Sequence, residues 1–387
     1  MQEKLWFVSH LLTYPIHWDQ VRRIAESWNG PVQLVDLGEI KVDAGHRAHG
    51  GRSLQDVRYW SCSIKVDSLA GFSTRQRLCF WYHHLRFAPS DVVWYIGEPI
   101  EFELLELLLL RNLGLGISVW SSACENEFRY RLCRRGAIRA ALKFAMYSIL
   151  WRRLAGVFAT GRESFESLRQ VGMPSNVKCI SPVGGSRDLG TRRIGKVSKA
   201  FTICFVGRLV VEKGLWTLLD AFRRLDERFS LVICGEGKLR DTIEAYCKNH
   251  DLQARVTILG LVGTDKVVET LHRSDVLVCP SISTVGWREQ FGLAVVEAMS
   301  AGLPVVVSNS GALPEVVGNA GLVFPEGNSD ALFEILRRLI DDNVLREALS
   351  SGGRARFAAN FSIDAVAMKI ASHLQTSKRK NIDENCI

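Results

Sequence analysis

Short apolar segments alternate with helical segments along most of the chain, and this alternation restricts the fold more than any other feature of the sequence. Residues 5–12 (LWFVSHLL) form an apolar run suited to a buried strand, and residues 17–28 follow with apolar side chains at helical spacing. The same alternation begins again at residue 201 with FTICFVGRL. Because strands that are separated by helices pair in parallel, we predict two α/β domains, each built on a parallel sheet.

Residues 181–200 contain several glycines and few apolar side chains, and they separate the two alternations. We therefore predict an N-terminal domain over 1–185, a linker over 186–200, a C-terminal domain over 201–362, and a last helix with a tail over 363–387. The last helix is expected to pack back on the N-terminal domain. Ligands of parallel sheets bind beyond the carboxyl ends of the strands, and the cleft between two such domains is the expected binding site.

Basic residues are concentrated in the first half of the chain. Residues 1–195 contain 26 Lys and Arg against 18 Asp and Glu, whereas residues 196–387 contain 23 of each. This asymmetry indicates an anionic partner for the first half, which is a nucleic acid, a membrane surface or a charged substrate. The ten cysteines include no C-x-x-C pair, so we expect reduced thiols in the cytoplasm rather than a disulfide framework or a zinc site. We recognise no signal peptide, and the longest apolar run, residues 104–110, is too short to span a bilayer.

Strand ends in the second half of the chain carry residues suited to binding phosphate. Gly207 ends the first predicted strand of this domain, and Arg208 and Lys213 place two cations in the loop that follows. Gly235 and Glu236, within the sequence GEG, follow the next predicted strand. A glycine turn or a basic loop residue is by itself more often structural or solvated than ligand-binding, so the prediction depends on their combination.

The stretch REQFGLAVVEAMSAGLPVV supplies a further strand end and a helix start. Phe291, Gly292 and Leu293 are predicted to begin a helix whose first amides have no partner within the helix and lie at the positive end of its dipole. Because Gly292 has no side chain, an anion is able to approach these amides closely. Glu297 is either a solvated helix residue or, as its apolar neighbours favour, a buried carboxylate that needs hydrogen-bond partners such as ribose hydroxyls.

The segment EQFGLAVVE, with Glu289 and Glu297 at its ends, fits the E-x7-E pattern of retaining glycosyltransferases of the GT4 family. Other blocks resemble that family in the same order, namely FVGRLVVEKG, GEG, CPS, EAMSAGLPVVVS, GALPEVVG and AGLVFP. The resemblance covers residues 200–362 and, more loosely, 92–190. It implies an α/β chain with the GT-B fold, in which two Rossmann-like domains face each other across a cleft.

The resemblance also implies roles for individual residues. Arg208 and Lys213 resemble the pair that neutralises the donor diphosphate, and Phe291–Leu293 resemble the amides that face it. Glu297 resembles the glutamate that binds the nucleotide ribose, and Glu289 resembles the glutamate that faces the donor sugar. The predicted catalytic residues are therefore Arg208, Lys213 and Glu289. The remaining predicted donor-site residues are Gly207, Gly235 and Glu236.

The reaction that the resemblance implies is consistent with these residue types. Breaking a glycosyl–phosphate bond builds negative charge on the departing diphosphate, which fixed cations and amide dipoles stabilise. The sequence has no Asp-x-Asp motif for a divalent metal, so we predict neither a metal nor a cofactor. Because the leaving phosphate is able to take the proton of the acceptor, Glu289 is assigned a positioning and electrostatic role. We predict a metal-independent hexosyltransferase that uses a nucleotide diphosphate sugar and a glycan or lipid-linked acceptor in cell-surface polysaccharide synthesis.

Residues that bind the acceptor are expected in the first domain. His17 and Asp19 lie in LTYPIHWDQ, where many family members have a Gly-Gly loop, and Asp19 has the alternative role of a helix-start residue. Glu98, in YIGEP, is either a contact with acceptor or sugar or a turn residue before proline. Asn126, in SSACENEF, follows the next predicted strand.

No acidic residue occurs between Glu127 and Glu163, and basic and aromatic side chains are interleaved through residues 128–162. This composition is typical of an amphipathic helix on an anionic membrane surface, with a core helix that has a solvated basic face as the alternative. No DNA- or RNA-binding motif accompanies the charge, so we expect no nucleic-acid partner. The predicted location is the cytoplasm, peripheral to the inner face of the plasma membrane.

Other functions stay open at this point. A different enzyme of the same fold, such as a non-hydrolysing nucleotide-sugar epimerase, requires base-handling and hydrolytic side chains that we do not find. A non-catalytic nucleotide-sugar-binding subunit is expected to lack one of Glu289, Glu297 and Lys213, and all of these are present. A basic scaffold for nucleic acid is disfavoured by the neutral second half.

Overall fold

The computed structural model of the chain describes residues 5–9, 15–28, 32–36, 64–68, 92–96, 118–123, 154, 156–159, 161–170, 177–180, 188–190, 201–284 and 287–383. The chain divides into two compact units. The first unit is Met1–Gly185 together with Ile363–Ile387, and the second unit is Ser186–Ser362. The last helix of the chain therefore belongs to the first unit.

The first unit is built on a seven-stranded parallel sheet with the strand order β3-β2-β1-β4-β5-β6-β7. Its strands are β1 Leu5–Ser9, β2 Val32–Asp36, β3 Ile64–Ser68, β4 Val92–Ile96, β5 Ser118–Ala123, β6 Gly156–Ala159 and β7 Val177–Cys179. Its described helices, in the chain-order numbering used for all described helices, are α1 Pro15–Ser27, α2 Arg162–Gln170 and α10 Ile363–Asp383.

The helix α10 packs on the sheet of the first unit through one apolar face. Val366, Ile370 and Leu374 recur at helical spacing and are buried in the same cluster as Phe7 and Trp94. The Trp94 and Phe7 rings are 5.4 Å apart at their centroids. Burial of this stripe explains why the end of the chain returns to the unit in which the chain begins.

The second unit is built on a six-stranded parallel sheet with the strand order β10-β9-β8-β11-β12-β13. Its strands are β8 Phe201–Val206, β9 Phe229–Cys234, β10 Val256–Gly260, β11 Val276–Cys279, β12 Val305–Ser308 and β13 Leu322–Phe324. Its helices are α3 Leu215–Phe222, α4 Arg240–Asn249, α5 Thr264–Arg273, α6 Leu293–Ser300, α7 Leu313–Val317, α8 Ser329–Asp341 and α9 Asn343–Asn360.

Both faces of the second sheet are buried, as a parallel sheet requires. Side chains of β8 alternate between two apolar clusters: Ile203 and Phe205 lie in one, and Cys204 lies in the other. Strand order reverses direction between β8 and β11, where the next strand in the sheet is not the next in the sequence. In open α/β sheets ligands bind at this switch point, so a binding site is expected at the loops after β8 and β11.

Part of the predicted linker is attached to the second unit. The Arg354 guanidinium donates to both carboxylate oxygens of Asp188, with distances of 2.7 and 3.2 Å. Leu189 packs on the apolar cluster beneath α6. Residues 191–200 lie outside the described residues. Within the described part of the chain, no helix has both the length and the apolar content needed to cross a membrane.

Candidate active site

The loop that follows β8 is shaped by a glycine at its end. A short 3-10 turn, Val211–Lys213, ends at Gly214, whose φ of 65° lies in the left-handed region. A Cβ at this position would lie 1.8 Å from the carbonyl oxygen of Pro280, in the loop after β11. The backbone amide of Ile282 also donates to the carbonyl of Glu212 at 2.9 Å. This close approach brings Lys213 to the carboxyl end of β11.

Lys213 and Glu289 form a largely buried ion pair at this point. The Lys213 ammonium lies 2.6 Å from Oε2 of Glu289, and the two side chains are 19% and 9% exposed. The buried hydroxyl of Ser281 donates to the same oxygen at 2.8 Å. Both bonds reach Oε2, and no described residue bonds to Oε1. The pair therefore leaves one carboxylate oxygen of Glu289 for a ligand.

The backbone of Glu289 is fixed by the loop after β12. Its carbonyl accepts a hydrogen bond from the amide of Ala312 at 2.9 Å. Gly311 has a φ of 52°, and a Cβ there would lie 2.1 Å from the same carbonyl oxygen. A glycine is required for this approach, and it holds Glu289 against the β12 end of the sheet.

Cys279, the last residue of β11, lies beside this ion pair. Burial raises the pKa of the Cys279 thiol to about 11, and the charge of Glu289 acts in the same direction. The thiol is therefore protonated at neutral pH, which makes it a poor nucleophile and a poor metal ligand. In the described ranges, no group of three or more His, Cys, Asp or Glu side chains is arranged to hold a metal ion.

The helix α6 begins beside Glu289 without a side-chain cap. Gly292 is its N-cap residue, with a φ of 79°, and no side chain of the described residues bonds to the first amides of the helix. Phe291 is buried, and its ring meets the Phe361 ring edge-on at 5.7 Å. The predicted helix start over Phe291–Leu293 therefore coincides with the start of α6. Gly292 is itself buried, and a Cβ there would lie 2.6 Å from the side chain of Leu313.

Glu297 lies on α6 in apolar surroundings. Val295, Val296 and Ala298 around it are fully buried, whereas Glu297 is half-buried. Its carboxylate makes no hydrogen bond and no ion pair with any residue that the structure describes. Burial alone raises the pKa of this carboxyl to about 7. A carboxylate in this condition gains stability from any ligand hydroxyl that reaches it.

The predicted GEG turn lies directly against the end of β8. A Cβ on Gly235 would lie 1.8 Å from the carbonyl oxygen of Gly207, so the two strand ends touch through glycines. The carboxylate of Glu236 accepts a hydrogen bond from Arg240 at 2.5 Å. Both side chains are partly exposed, and Arg240 was not part of the predicted site.

Arg208 is less confined than the other predicted cation. Its side chain is 54% exposed and lies 3.9 Å from a carboxylate oxygen of Glu212. The structure therefore brings Lys213 and Glu289 into direct contact, with Arg208 in the same loop but outside the ion pair.

Of the predicted acceptor residues, only two fall on described backbone. His17 and Asp19 lie in α1, which begins at Pro15, so Asp19 is past the first turn. Glu98 and Asn126 lie outside the described residues, as do 128–153, 155 and 160 of the predicted membrane segment.

Ser281 and Trp287 also lie at the site and are outside the set of predicted residues. Ser281 ends the CPS block directly after β11, and a polar residue at a strand end is a usable signal. Trp287 precedes Glu289 by two residues, and its ring lies 5.2 Å from the Lys213 ammonium. Nothing in the periodicity of the sequence indicates that contact, because the two residues lie in different loops.

Comparison with known families places this site within a known domain. Residues 187–356 match the family model described as glycosyl transferases group 1. The second unit belongs to the glycosyl transferases group 1 family. Every residue of the predicted donor site lies within the matched range of this group 1 domain.

Individual relatives of the group 1 domain include two curated proteins. The chain is 37% identical over 113 residues to a glycosyltransferase of Methanocaldococcus jannaschii, covering 29% of this chain and 28% of that one. It is 32% identical over 212 residues to the phosphatidyl-myo-inositol mannosyltransferase of Mycobacterium leprae, covering 53% of each. The chain thus spans about half or less of the length of these curated relatives.

The solved structures include a match along nearly the whole chain. Anabaena HepE, crystallised in complex with UDP, superposes with a TM-score of 0.70 at 16% identity, over 97% of this chain and 100% of that one. At this identity the likeness concerns the fold, and it confirms the predicted GT-B fold class.

Proposed function

We propose that the chain is a retaining glycosyltransferase that moves a sugar from a nucleotide diphosphate sugar to a glycan or lipid-linked saccharide. The observation that carries this proposal is the buried Lys213–Glu289 pair, which lies at the switch point of the group 1 domain. It is supported by the start of α6 and the carboxylate of Glu297, neither of which has a side-chain partner among the described residues.

The donor diphosphate is assigned to the cations and amides of the site. Lys213 keeps donors of its ammonium for a phosphate oxygen while it holds Glu289, and the amides at Phe291–Leu293 supply further donors. Arg208 is sufficiently exposed to approach the same group. As the bond between the sugar carbon and the phosphate oxygen breaks, negative charge builds on the diphosphate, and these fixed groups stabilise it.

The sugar is assigned to Glu289 and the ribose to Glu297. Oε1 of Glu289 accepts a hydroxyl of the donor sugar, since Oε2 is occupied by Lys213 and Ser281. Glu297 accepts the ribose hydroxyls. Gly207, Gly235 and Glu236 border this donor site at the ends of β8 and β9.

The transfer step needs no protein nucleophile. The acceptor hydroxyl forms the new bond to the sugar carbon on the face from which the diphosphate departs. Its proton passes to an oxygen of the leaving phosphate, so the charge is balanced without a metal, a cofactor or a covalent intermediate. Glu289 orients the sugar and stabilises the positive charge that develops on its ring.

The acceptor is assigned to the first unit, with His17, Asp19, Glu98 and Asn126 as candidates. The Mycobacterium leprae relative is named for its action on a phosphatidyl-inositol, which agrees with a lipid-linked acceptor. The basic segment 128–162 would hold the enzyme on the anionic inner face of a membrane while it works.

The direct test is to follow transfer with nucleotide sugars and record the product by NMR spectroscopy. We expect release of a nucleoside diphosphate, and a product whose anomeric configuration equals that of the donor. An inverted product would contradict the retaining mechanism. Absence of diphosphate release with every common nucleotide sugar, in the presence of lipid-linked acceptors, would contradict the assignment as a transferase.

A further inference from the structure

Thr284 and Trp287, between β11 and Glu289, are joined by a backbone bridge, and the described residues Ser283, Thr284 and Trp287 around it are called the arch. The amide of Thr284 donates to the carbonyl of Trp287 at 2.9 Å, and the amide of Trp287 donates back to Thr284 at 3.2 Å. This reciprocal bridge fixes the backbone of Trp287.

One carboxylate anchors the arch to the neighbouring loops. Glu326, after β13, accepts the amide of Ser283 at 2.6 Å and the hydroxyl of Ser283 at 2.7 Å. The Ser283 hydroxyl also lies 3.1 Å from the hydroxyl of Ser310, after β12. The backbone amide of Glu326 donates to Asn309 at 2.7 Å. Because β11, β12 and β13 are neighbours in the sheet, these bonds tie their loops into one structure.

The ring of Trp287 faces the ammonium of Lys213, with 5.2 Å between Nζ and the ring centroid. On another side the ammonium holds Glu289 at 2.6 Å. An aromatic face attracts a cation without neutralising its charge and without accepting a strong hydrogen bond. Trp287 thus contacts the Lys213 ammonium without using its N–H donors, one of which bonds to Glu289 within the described part of the chain.

We propose that Trp287, anchored through Ser283 to Glu326, is a positioning residue that directs the Lys213 ammonium at the terminal phosphate of a nucleoside diphosphate. The proposal rests on the proposed function, since it takes a diphosphate as the ligand of Lys213. Trp287 acts through Lys213 and not by touching the nucleotide. Its effect is therefore confined to the phosphate that distinguishes a diphosphate from a monophosphate.

The experiment compares calorimetric affinities for the nucleoside diphosphate and monophosphate of whichever base the wild-type protein binds. Trp287→Leu removes the aromatic face and keeps apolar bulk. It is expected to weaken diphosphate binding by about 3- to 30-fold, the range of a cation–π contact, with monophosphate binding unchanged. Trp287→Phe keeps a smaller ring and is expected to weaken diphosphate binding less. Glu326→Ala removes the carboxylate that anchors the arch. It is expected to lower the ratio of diphosphate to monophosphate affinity, as Trp287→Leu does.

A double-mutant cycle with Lys213→Met shows whether Trp287 works through Lys213. In the Lys213→Met background, Trp287→Leu is expected to leave the diphosphate-to-monophosphate ratio unchanged. The matched control is Phe333→Leu on α8, which removes another cation–π contact, that of Arg224 at 4.4 Å, and should leave both affinities at the wild-type values.

The inference is overturned if Trp287→Leu and Trp287→Phe retain the wild-type ratio, or if Trp287→Leu changes the ratio equally with and without Lys213. Failure of the proposed function gives a different result, because the wild-type protein would then bind no nucleoside diphosphate. If Trp287→Leu also loses the monophosphate, the arch has unfolded, and the ratio of the Trp287→Phe variant decides between the outcomes.

Discussion

Glu289 and Glu297 belong to one short stretch of sequence and meet opposite surroundings in the structure. Glu289 accepts hydrogen bonds from an ammonium and a hydroxyl. Glu297 has apolar neighbours and no partner within the described chain, and burial raises its pKa to about 7. The two carboxylates are therefore expected to respond differently to pH and to substitution.

The pH dependence of stability should reveal Glu297. Its pKa in the folded protein is raised, so the folded state holds a proton that the unfolded state releases between pH 4.5 and about 7. The contribution of Glu297 to stability is thus complete below this window and is lost as pH rises through it. Glu297→Gln abolishes this pH-dependent loss of stability. The loss amounts to about 2 kcal/mol once the partial exposure of the carboxyl is taken into account.

Thermal denaturation at pH 5 and pH 8 measures this effect. Without ligand, the melting temperature of wild type should fall between pH 5 and pH 8 by several degrees more than that of the Glu297→Gln variant. The exposed Glu334 on α8 provides the control, and Glu334→Gln should show no such gain. An equal difference from wild type at both pH values would contradict a raised pKa for Glu297.

For the Lys213–Glu289 pair, removing one partner should destabilise the protein more than removing both charges, as is usual for a buried ion pair. Lys213→Met leaves the Glu289 carboxylate with Ser281 as its remaining described donor, and it should lower the free energy of unfolding by about 2–4 kcal/mol. Lys213→Met/Glu289→Gln removes the stranded charge and should recover most of this loss. Both variants should lose transfer activity. A double variant as unstable as the single one would show that the pair is not a coupled unit.

At the scale of elements, the site depends on how closely the loops after β8 and β11 approach. The Gly214–Pro280 contact and the Glu212–Ile282 hydrogen bond hold these loops together. The strand order makes the two loops neighbours, because β8 pairs with β11. Their residues are far apart in the sequence, and so the contact depends on the topology and not on local propensity.

Two glycine substitutions separate the cost of a left-handed backbone conformation from the cost of losing the close contact between the loops after β8 and β11. Gly214 and Gly327 have φ values of 65° and 71°, but a Cβ at 327 would meet nothing within 4 Å. Gly327→Ala should therefore cost only the left-handed conformation, about 1–2 kcal/mol. Gly214→Ala should cost more and should also weaken nucleotide binding, because the Lys213 loop must move. Equal melting temperatures and wild-type nucleotide affinity in both variants would contradict the importance of the contact.

At the scale of the whole molecule, the charge is divided between the halves of the chain. The first 195 residues have a surplus of basic side chains, and the group 1 domain occupies the neutral half. The proposed division of work follows, with the donor bound by the second unit and an anionic surface bound by the first.

Vesicle flotation tests the proposed membrane contact of residues 128–162. The full chain should float with vesicles that contain anionic lipid, and salt should release it because the attraction is electrostatic. Replacing the paired arginines Arg134/Arg135 and Arg152/Arg153 by glutamine should weaken flotation. The control replaces Arg337 and Arg338, on α8 of the second unit, and should leave flotation unchanged. Salt-independent flotation, or none, would contradict the proposal.

The sequence was sufficient for the fold class and for the elements on which the donor site lies. Apolar alternation predicts the parallel sheets, and glycines at strand ends predict where loops can approach a ligand. Two contacts were not predictable in this way. The contact of Trp287 with Lys213 joins separate loops, and the hydrogen bond of Ser281 to Glu289 depends on side-chain rotamers. The ion pair of Glu236 with Arg240 joins residues four apart, but Glu236 precedes the helix that begins at Arg240, so helical spacing does not predict it.

The measurement that bears most directly on the central claim is calorimetric titration of the purified protein with nucleoside diphosphates, without added metal. One of them should bind, and Lys213→Ala should weaken it by about 10- to 100-fold, as expected for loss of a charge-assisted hydrogen bond. Binding of none of them, or equally tight binding by Lys213→Ala, would contradict a donor-diphosphate site built around Lys213 and Glu289.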